Sequence, residues 1–543
     1  MSSQPAEENE DKTSQPQLPP NWDRCHAYNE KKRRYCRQIP APNQIYCGNH
    51  LHLIDDVVVD RKRTCSVAES PSSDVKRNNK KRKDRGARIP CPIDPSHYIF
   101  ESALAKHVLV CPAAKEREET RSREYYREGT NTGGFGDFGD GNNDNDVMGG
   151  EESTDVERAK LLAIAVLKVF CHVFPSVLAR INGNDKLSDD SLKGITGEDI
   201  YKALPEVDLS SSEEGVAKDV AKHRIKAGGP HHLHQLQSML GHVRKSGFIS
   251  TDDNADNIES AVIEMGAGRG MLGLVTASAI GATPAHNTTS SPKVKLYLVE
   301  RSGTRGKAET KIRTASRDTS YDNDSLRLDR VDVSRIKCDL AHVHLSTALP
   351  FLKKKSDKSR SIVVAKHLCG AGTDLALKSL RDVVQSGTVD GCVMATCCHG
   401  LCNWNDYVGR DSLLELFRGV GGLSTYSGSD FDQLRRWTSA SVLEERASGS
   451  NSTSTSNLDG HFVGVKSQNI YLVVKELGLA CGGSGLGRAC QRLIDYGRAE
   501  YIKNTLFRNN TASSQECITD VELCHYCSSS VTPQNALITA KRV

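Results

Sequence analysis

From about residue 155 onward, short apolar runs alternate with polar or glycine-rich stretches, a pattern that predicts an α/β domain. Residues 261–265 form an apolar run that leads into glycines and then a helix from Met271, so they are expected to be a buried strand. Val294–Val299, ending at Glu300, predicts a second strand, and residues 335–340 a third. A fourth is expected from Ser361 to Lys366 and a fifth from Gly391. Leu161 to Leu178 is apolar but interrupted by Lys168 and His172, as in an amphipathic helix. No run reaches the roughly 20 apolar residues needed to span a bilayer.

The first part of the chain has a different character. Residues 1–20 are polar and read as disordered, 21–55 and 89–113 each hold a Cys/His cluster, and 56–88 form a basic linker. The linker's Lys76 to Lys83 stretch is the densest basic run, a candidate nuclear address or phosphate-contacting arm. A charged helix is expected over Ala114 to Glu128 within a 114–154 linker, and Gly129 to Glu152 reads as a flexible tether. Residues 155–543 are expected to form one Rossmann-like domain, with unstructured insertions at Gly281 to Pro292 and Ala447 to Asn457.

The charge balance of +4, from 72 basic and 68 acidic residues, is too slight to show polyanion binding by itself. The start of the chain lacks a secretory pattern, so its 18 cysteines read as reduced thiols of an intracellular protein of the nucleus, the cytoplasm or both.

Cys25, Cys36, Cys47 and His50 offer three thiolates and an imidazole, a tetrahedral zinc set for a segment too short to build a core. The second cluster, Cys91, His97, His107 and Cys111, is tighter, and His107 and Cys111 share a helix face, which predicts a second structural zinc. Its spacing resembles the CHHC fingers of RNA-associated proteins.

Glu264, Gly266, Gly268 and Gly270 give the acid-x-Gly-x-Gly-x-Gly pattern of S-adenosylmethionine enzymes. Gly268 to Gly273 also fits a nicotinamide-dinucleotide turn. Glu300 is a candidate ligand for ribose hydroxyls and Asp339 for an adenine amine. Lys366, His367, Cys369, Asp374, Cys397, Cys398 and His399 follow the fourth and fifth strands, where an open parallel sheet binds its ligands. A ribose hydroxyl is a poor nucleophile, so Lys366 is the first candidate to orient or activate one, with His399 and Asp374 next. The paired thiols read as packed or structural, since hydroxyl methylation needs no thiol intermediate.

These motifs, with Asp406-Tyr-Val-Gly409 and Leu493-Ile-Asp-Tyr-Gly-Arg498, resemble the eukaryotic tRNA 2'-O-methyltransferase family that modifies the fourth nucleotide of the acceptor stem. The resemblance spans most of residues 21–540 and implies a class I methyltransferase sheet behind two zinc modules, S-adenosylmethionine as cofactor and the tRNA acceptor stem as partner. Two departures stand out. His231-His-Leu-His-Gln235-Leu236 replaces the family's Lys-His-Leu-x-Gln-Gln, and one histidine, His399, follows Cys398 where the family has two. An RNA-binding adaptor with an inactive methyltransferase-like half and a nicotinamide-dependent oxidoreductase are the alternatives.

Overall fold

In a computed structural model of the chain, residues 28–29, 34–35, 87–94, 97–133, 152–181, 188–225, 228–249, 258–286, 292–301, 307–315, 324–354, 359–448, 468–507 and 519–542 are described. Residues 1–86 and 87–543 are separate units. In the first, β1 (Tyr28–Asn29) pairs antiparallel with β2 (Arg34–Tyr35). The Cys25, Cys36, Cys47 and His50 set and the Lys76 to Lys83 run lie outside the described residues.

The second unit opens with an antiparallel pair, β3 (Arg88–Pro90) and β4 (Tyr98–Phe100), followed by the Leu104–Val110 helix. Its centre is a seven-stranded sheet made of β5 (Glu259–Met265), β6 (Val294–Glu300), β7 (Val331–Lys337), β8 (Ser359–Ala365), β9 (Gly391–Ala395), β10 (Thr519–His525) and β11 (Ala536–Arg542). Spatial order is β10-β11-β9-β8-β5-β6-β7. β5 to β9 are parallel, while β11 runs antiparallel to both its neighbours. The winding direction reverses between β5 and β8, which opens a crevice at their carboxyl ends.

Burial explains the strand reading. β5, β8 and β9 are almost wholly buried, so each carries an apolar stretch, broken in β5 by Glu264. β7 lies at the sheet edge and exposes Asp332 and Lys337, and that polar alternation hid its start at Val331. Asp339 therefore lies beyond the strand, in the loop that follows it. The expected fourth strand likewise ends at Ala365, which puts Lys366 in the turn.

Separate apolar clusters pack on the two faces of the sheet, one including Leu240, Leu274 and Leu298, the other Ile263, Leu377 and Ile502. A third core contains no strand residue and is built largely from helices. The Glu152–Val173 helix, which overlaps the expected amphipathic run, packs there with residues from the Arg410–Gly419, Gly428–Ser448, Gln468–Leu477 and Gly482–Tyr501 helices.

Two linker expectations require correction. The charged helix spans Pro112–Arg121 and stops before Tyr126, which bridges to Val343. The first residues assigned to the tether are docked rather than free: buried Asn131 donates its side-chain amide to Leu340 O at 2.7 Å and Val343 O at 2.9 Å. Gly133 N donates to Asp406 at 2.9 Å. Backbone pairing here outweighs a composition that suggests free chain. The insertion from Gly281 is also partly ordered, because His286 is buried against Ser260 and accepts Arg330 on its carbonyl. Replacing Asn131 with Ala leaves two buried carbonyls without their donor, so a loss of about 1–3 kcal/mol is expected on chemical denaturation.

Candidate active site and metal centre

The turn after β5 depends on three residues without side chains. Gly266, Gly268 and Gly270 have φ of 60°, 49° and 73°, the left-handed region that L-residues avoid. A Cβ on Gly270 would also lie 2.7 Å from Leu298 and 3.0 Å from Ala308, whereas Gly268 faces open space. The turn is held from both sides: Gly268 N donates to Glu300 Oε2 at 2.8 Å, and Arg335 Nη1 donates to Gly268 O at 2.9 Å. Arg335, which also grips Glu309, therefore supports the turn.

A cavity of about 500 Å³ opens against this turn and is lined by Gly266, Glu300, Asp339, His367, Cys369 and Asp406, among others. The candidate nucleoside residues from the ends of β5, β6 and β7 thus meet in one place. Asp339 Oδ1 accepts from Ala341 N at 3.0 Å, which fixes its carboxylate. Thr132 of the docked segment also lines the cavity, a contribution its Gly/Asn-rich surroundings gave no reason to expect.

Glu264 does not line the cavity, contrary to its expected contact with cofactor. It is buried within β5 and accepts from Gly273 N at 2.9 Å, so it ties the strand to the first turn of the Met271–Gly281 helix. Burial pushes its carboxyl up to about 8, against the opposing pull of the Gly273 N–H and Arg335.

Lys366 also lies outside the cavity lining, although the next residue, His367, belongs to it. Its Nζ is 3.4 Å from His232 Nδ1, on the Pro230–Lys245 helix. The segment that departs from the family pattern therefore faces the candidate lysine. Burial brings the Lys366 ammonium down to about 8, with Cys527 and Glu264 opposing the shift.

His399 and Asp374 are placed differently from the expectation that they serve the hydroxyl. Both are buried in a charged network. Arg498 donates to Asp374 at 2.7 and 3.1 Å and to Asp495 at 3.3 Å, while His399 Nε2 is 2.8 Å from Asp495. Burial opposes the charge on Asp495, yet His399, Arg498 and Arg492 hold it down at about 2. The sequence showed acids and a histidine near strand ends but not the arginine, more than a hundred residues away from Asp374, that occupies them.

Cys91, His97, His107 and Cys111 converge as expected, with all four ligand atoms within 4.8 Å of one another. A tetrahedral zinc requires S–S and N–N spacings of about 3.8 and ~3.3 Å. The thiols are 3.8 Å apart and the two Nε2 atoms 3.1 Å, so the donor set fits that ion. Asp94 lies 3.4 Å from His97 Nδ1, where it orients the ring. Cys524 and Cys527 are instead buried at the end of β10 and in the turn beyond it.

Comparison with known proteins identifies the family. Residues 234–541, more than half the chain, match the family model described as methyltransferase TRM13. The chain belongs to the TRM13 methyltransferase family. Residues 23–51 match the CCCH zinc finger of TRM13 proteins, and residues 88–112 match the U11-48K-like CHHC zinc finger. Among curated TRM13 relatives, the tRNA:m(4)X modification enzyme of Saccharomyces cerevisiae is 24% identical over 92% of this chain and 94% of its own length. The mouse homologue is 23% identical over 95% and 94%, and the human homologue 22% over the same shares.

Replacing Arg498 with Ala takes the guanidinium from buried Asp374 and one of the partners from Asp495, so a loss of about 3–5 kcal/mol in chemical denaturation is expected. Glu264→Gln, which keeps an acceptor for Gly273, is expected to fold and melt close to wild type, whereas Glu264→Ala is expected to melt clearly lower by calorimetry.

Proposed function

We propose that this TRM13-family chain is an S-adenosylmethionine-dependent tRNA methyltransferase that modifies the ribose 2'-hydroxyl of nucleotide 4 in the acceptor stem. The observation that carries the reading is the meeting of Gly266, Glu300 and Asp339 in one cavity at the sheet's switch point. A backbone turn without Cβ atoms lets a sulfonium nucleoside approach closely, with Glu300 placed for ribose hydroxyls and Asp339 for the base amine. The relatives' names support tRNA as the substrate, and the family supports methyl transfer. A tRNA substrate and reduced thiols suit an intracellular protein of the nucleus or cytoplasm, and no helix among the described residues is long and apolar enough to cross a membrane.

S-adenosylmethionine, when bound, supplies the methyl group. Lys366 is the residue proposed to orient the acceptor hydroxyl and take its proton, and desolvation makes its neutral form accessible near neutral pH. His232, which faces Nζ, is a positioning residue. Asp374 and His399 act through the buried network that shapes the loops after β8 and β9. The CHHC and CCCH modules extend the grip on an A-form stem, which is read mostly through shape, phosphates and 2'-hydroxyls.

The test is methyl transfer from labelled S-adenosylmethionine to unmodified tRNA, with the modified ribose mapped. Lys366→Met is expected to abolish transfer while tRNA binding persists. Because a base must be unprotonated, the wild-type chemical step should rise about tenfold per pH unit below the Lys366 pKa and level off above about 8. A rate flat between pH 6 and 9, measured in single turnovers, rules Lys366 out as the base. Retention of nicotinamide dinucleotide in place of S-adenosylmethionine in equilibrium dialysis overturns the cofactor assignment.

A further inference from the structure

Three thiols meet at the carboxyl ends of β8 and β9. Cys369 Sγ lies 3.9 Å from Cys397 Sγ and 3.3 Å from Cys398 Sγ, and all three sulfurs are within 4.8 Å of one another. Two of them are adjacent in sequence, and adjacent side chains on extended backbone point to opposite sides. Cys398 resolves this conflict by taking a left-handed conformation, φ 52° and ψ 40°. Among the described non-glycine residues, only Arg224 shares a positive φ. Such backbone persists where the surroundings hold it. Here Gln534 Oε1 accepts from Cys398 N at 3.2 Å.

The two loops that carry the thiols are locked together. A Cβ on Gly370 would lie 2.8 Å from Leu401 O, and buried Cys402 reaches Gly370 O at 3.7 Å. The thiols differ in access: Cys397 is buried, Cys398 half-buried, and Cys369 exposed and part of the cavity lining. Neutral thiols are weak hydrogen-bond partners, so sulfur–sulfur contact alone gives little reason to hold a residue in left-handed backbone. Shared coordination does. Sulfurs around a tetrahedral zinc are about 3.8 Å apart, close to the Cys369–Cys397 spacing, and the neighbouring 3.3 Å pair lies within a small adjustment of it.

We propose that Cys369, Cys397 and Cys398 bind a zinc ion, distinct from the finger metals, with its fourth position open to an oxygen ligand on the cavity side. Binding displaces one proton from each thiol to solvent and forms three S–Zn bonds, with no change of oxidation state. An open fourth position separates this centre from the closed CHHC set, where four protein ligands complete the tetrahedron. The assignment concerns metal content alone and stands whether or not the chain transfers methyl groups.

Full-length protein, purified without chelators and under reducing conditions, tests it by metal analysis. Cys369→Ser and Cys398→Ser are each expected to hold one zinc equivalent less than wild type, with unchanged circular dichroism. Cys91→Ser is expected to lose a different equivalent, so the Cys91→Ser/Cys369→Ser double variant should be two short. Cys369 alkylation in wild type should be slow until zinc is removed. Wild-type zinc content in Cys369→Ser, whose thiol is exposed and whose folding is least at risk, overturns the proposal. So does a mass two hydrogens below the reduced chain, mapped to these cysteines in protein purified without reductant and restored by reductant, which identifies a disulfide in place of the metal.

Discussion

Arg498 sits without solvent between Asp374 and Asp495, and much of the site's shape follows from that constraint. A buried carboxylate without a partner is costly, so Asp374 after β8 and Asp495 in the Gly482–Tyr501 helix must both stay within reach of one guanidinium. Asp495 in turn receives His399 and Thr396 from the segment after β9. The loops that follow the two central strands are thus pinned to a helix of the separate helical core. Geometry at the cavity is set from behind by charges that never touch it.

The glycine turn is held in a related way. Its backbone can curl because three Cβ atoms are missing, but freedom alone would leave it without a defined shape. Glu300 takes the Gly268 N–H, Arg335 takes the Gly268 carbonyl, and Glu264 holds the helix start at Gly273. Arg335 and Glu264 lie outside the cavity lining, so side chains on three neighbouring strands rigidify a turn that borders the cavity through Gly266. Such preorganisation reduces the ordering cost of binding.

Much of this was legible along the chain. Parallel strands covered on both faces are largely apolar, which made β5, β6, β8 and β9 visible, and the glycine pattern located the turn after β5. Cys91, His97, His107 and Cys111 were equally readable, because a module with so little core declares its ligands by spacing. The polar edge strand β7 was displaced by several residues, and the β10–β11 hairpin, which joins the sheet through the distant strand β9, went unread.

The sequence by itself determined the order of strands and glycines, the CHHC ligand set and the crowding of ionisable groups after β8 and β9, because each is a local pattern of residue types. Tertiary structure alone decided which of those groups reach the cavity. Glu264, Asp374 and His399 were drawn into buried partnerships, Asn131 and Thr132 were brought in from an apparent tether, and three thiols were gathered from two loops. The physical reason is common to all of them: the fate of a polar side chain depends on its burial and on the partner facing it, and that partner usually comes from another part of the chain.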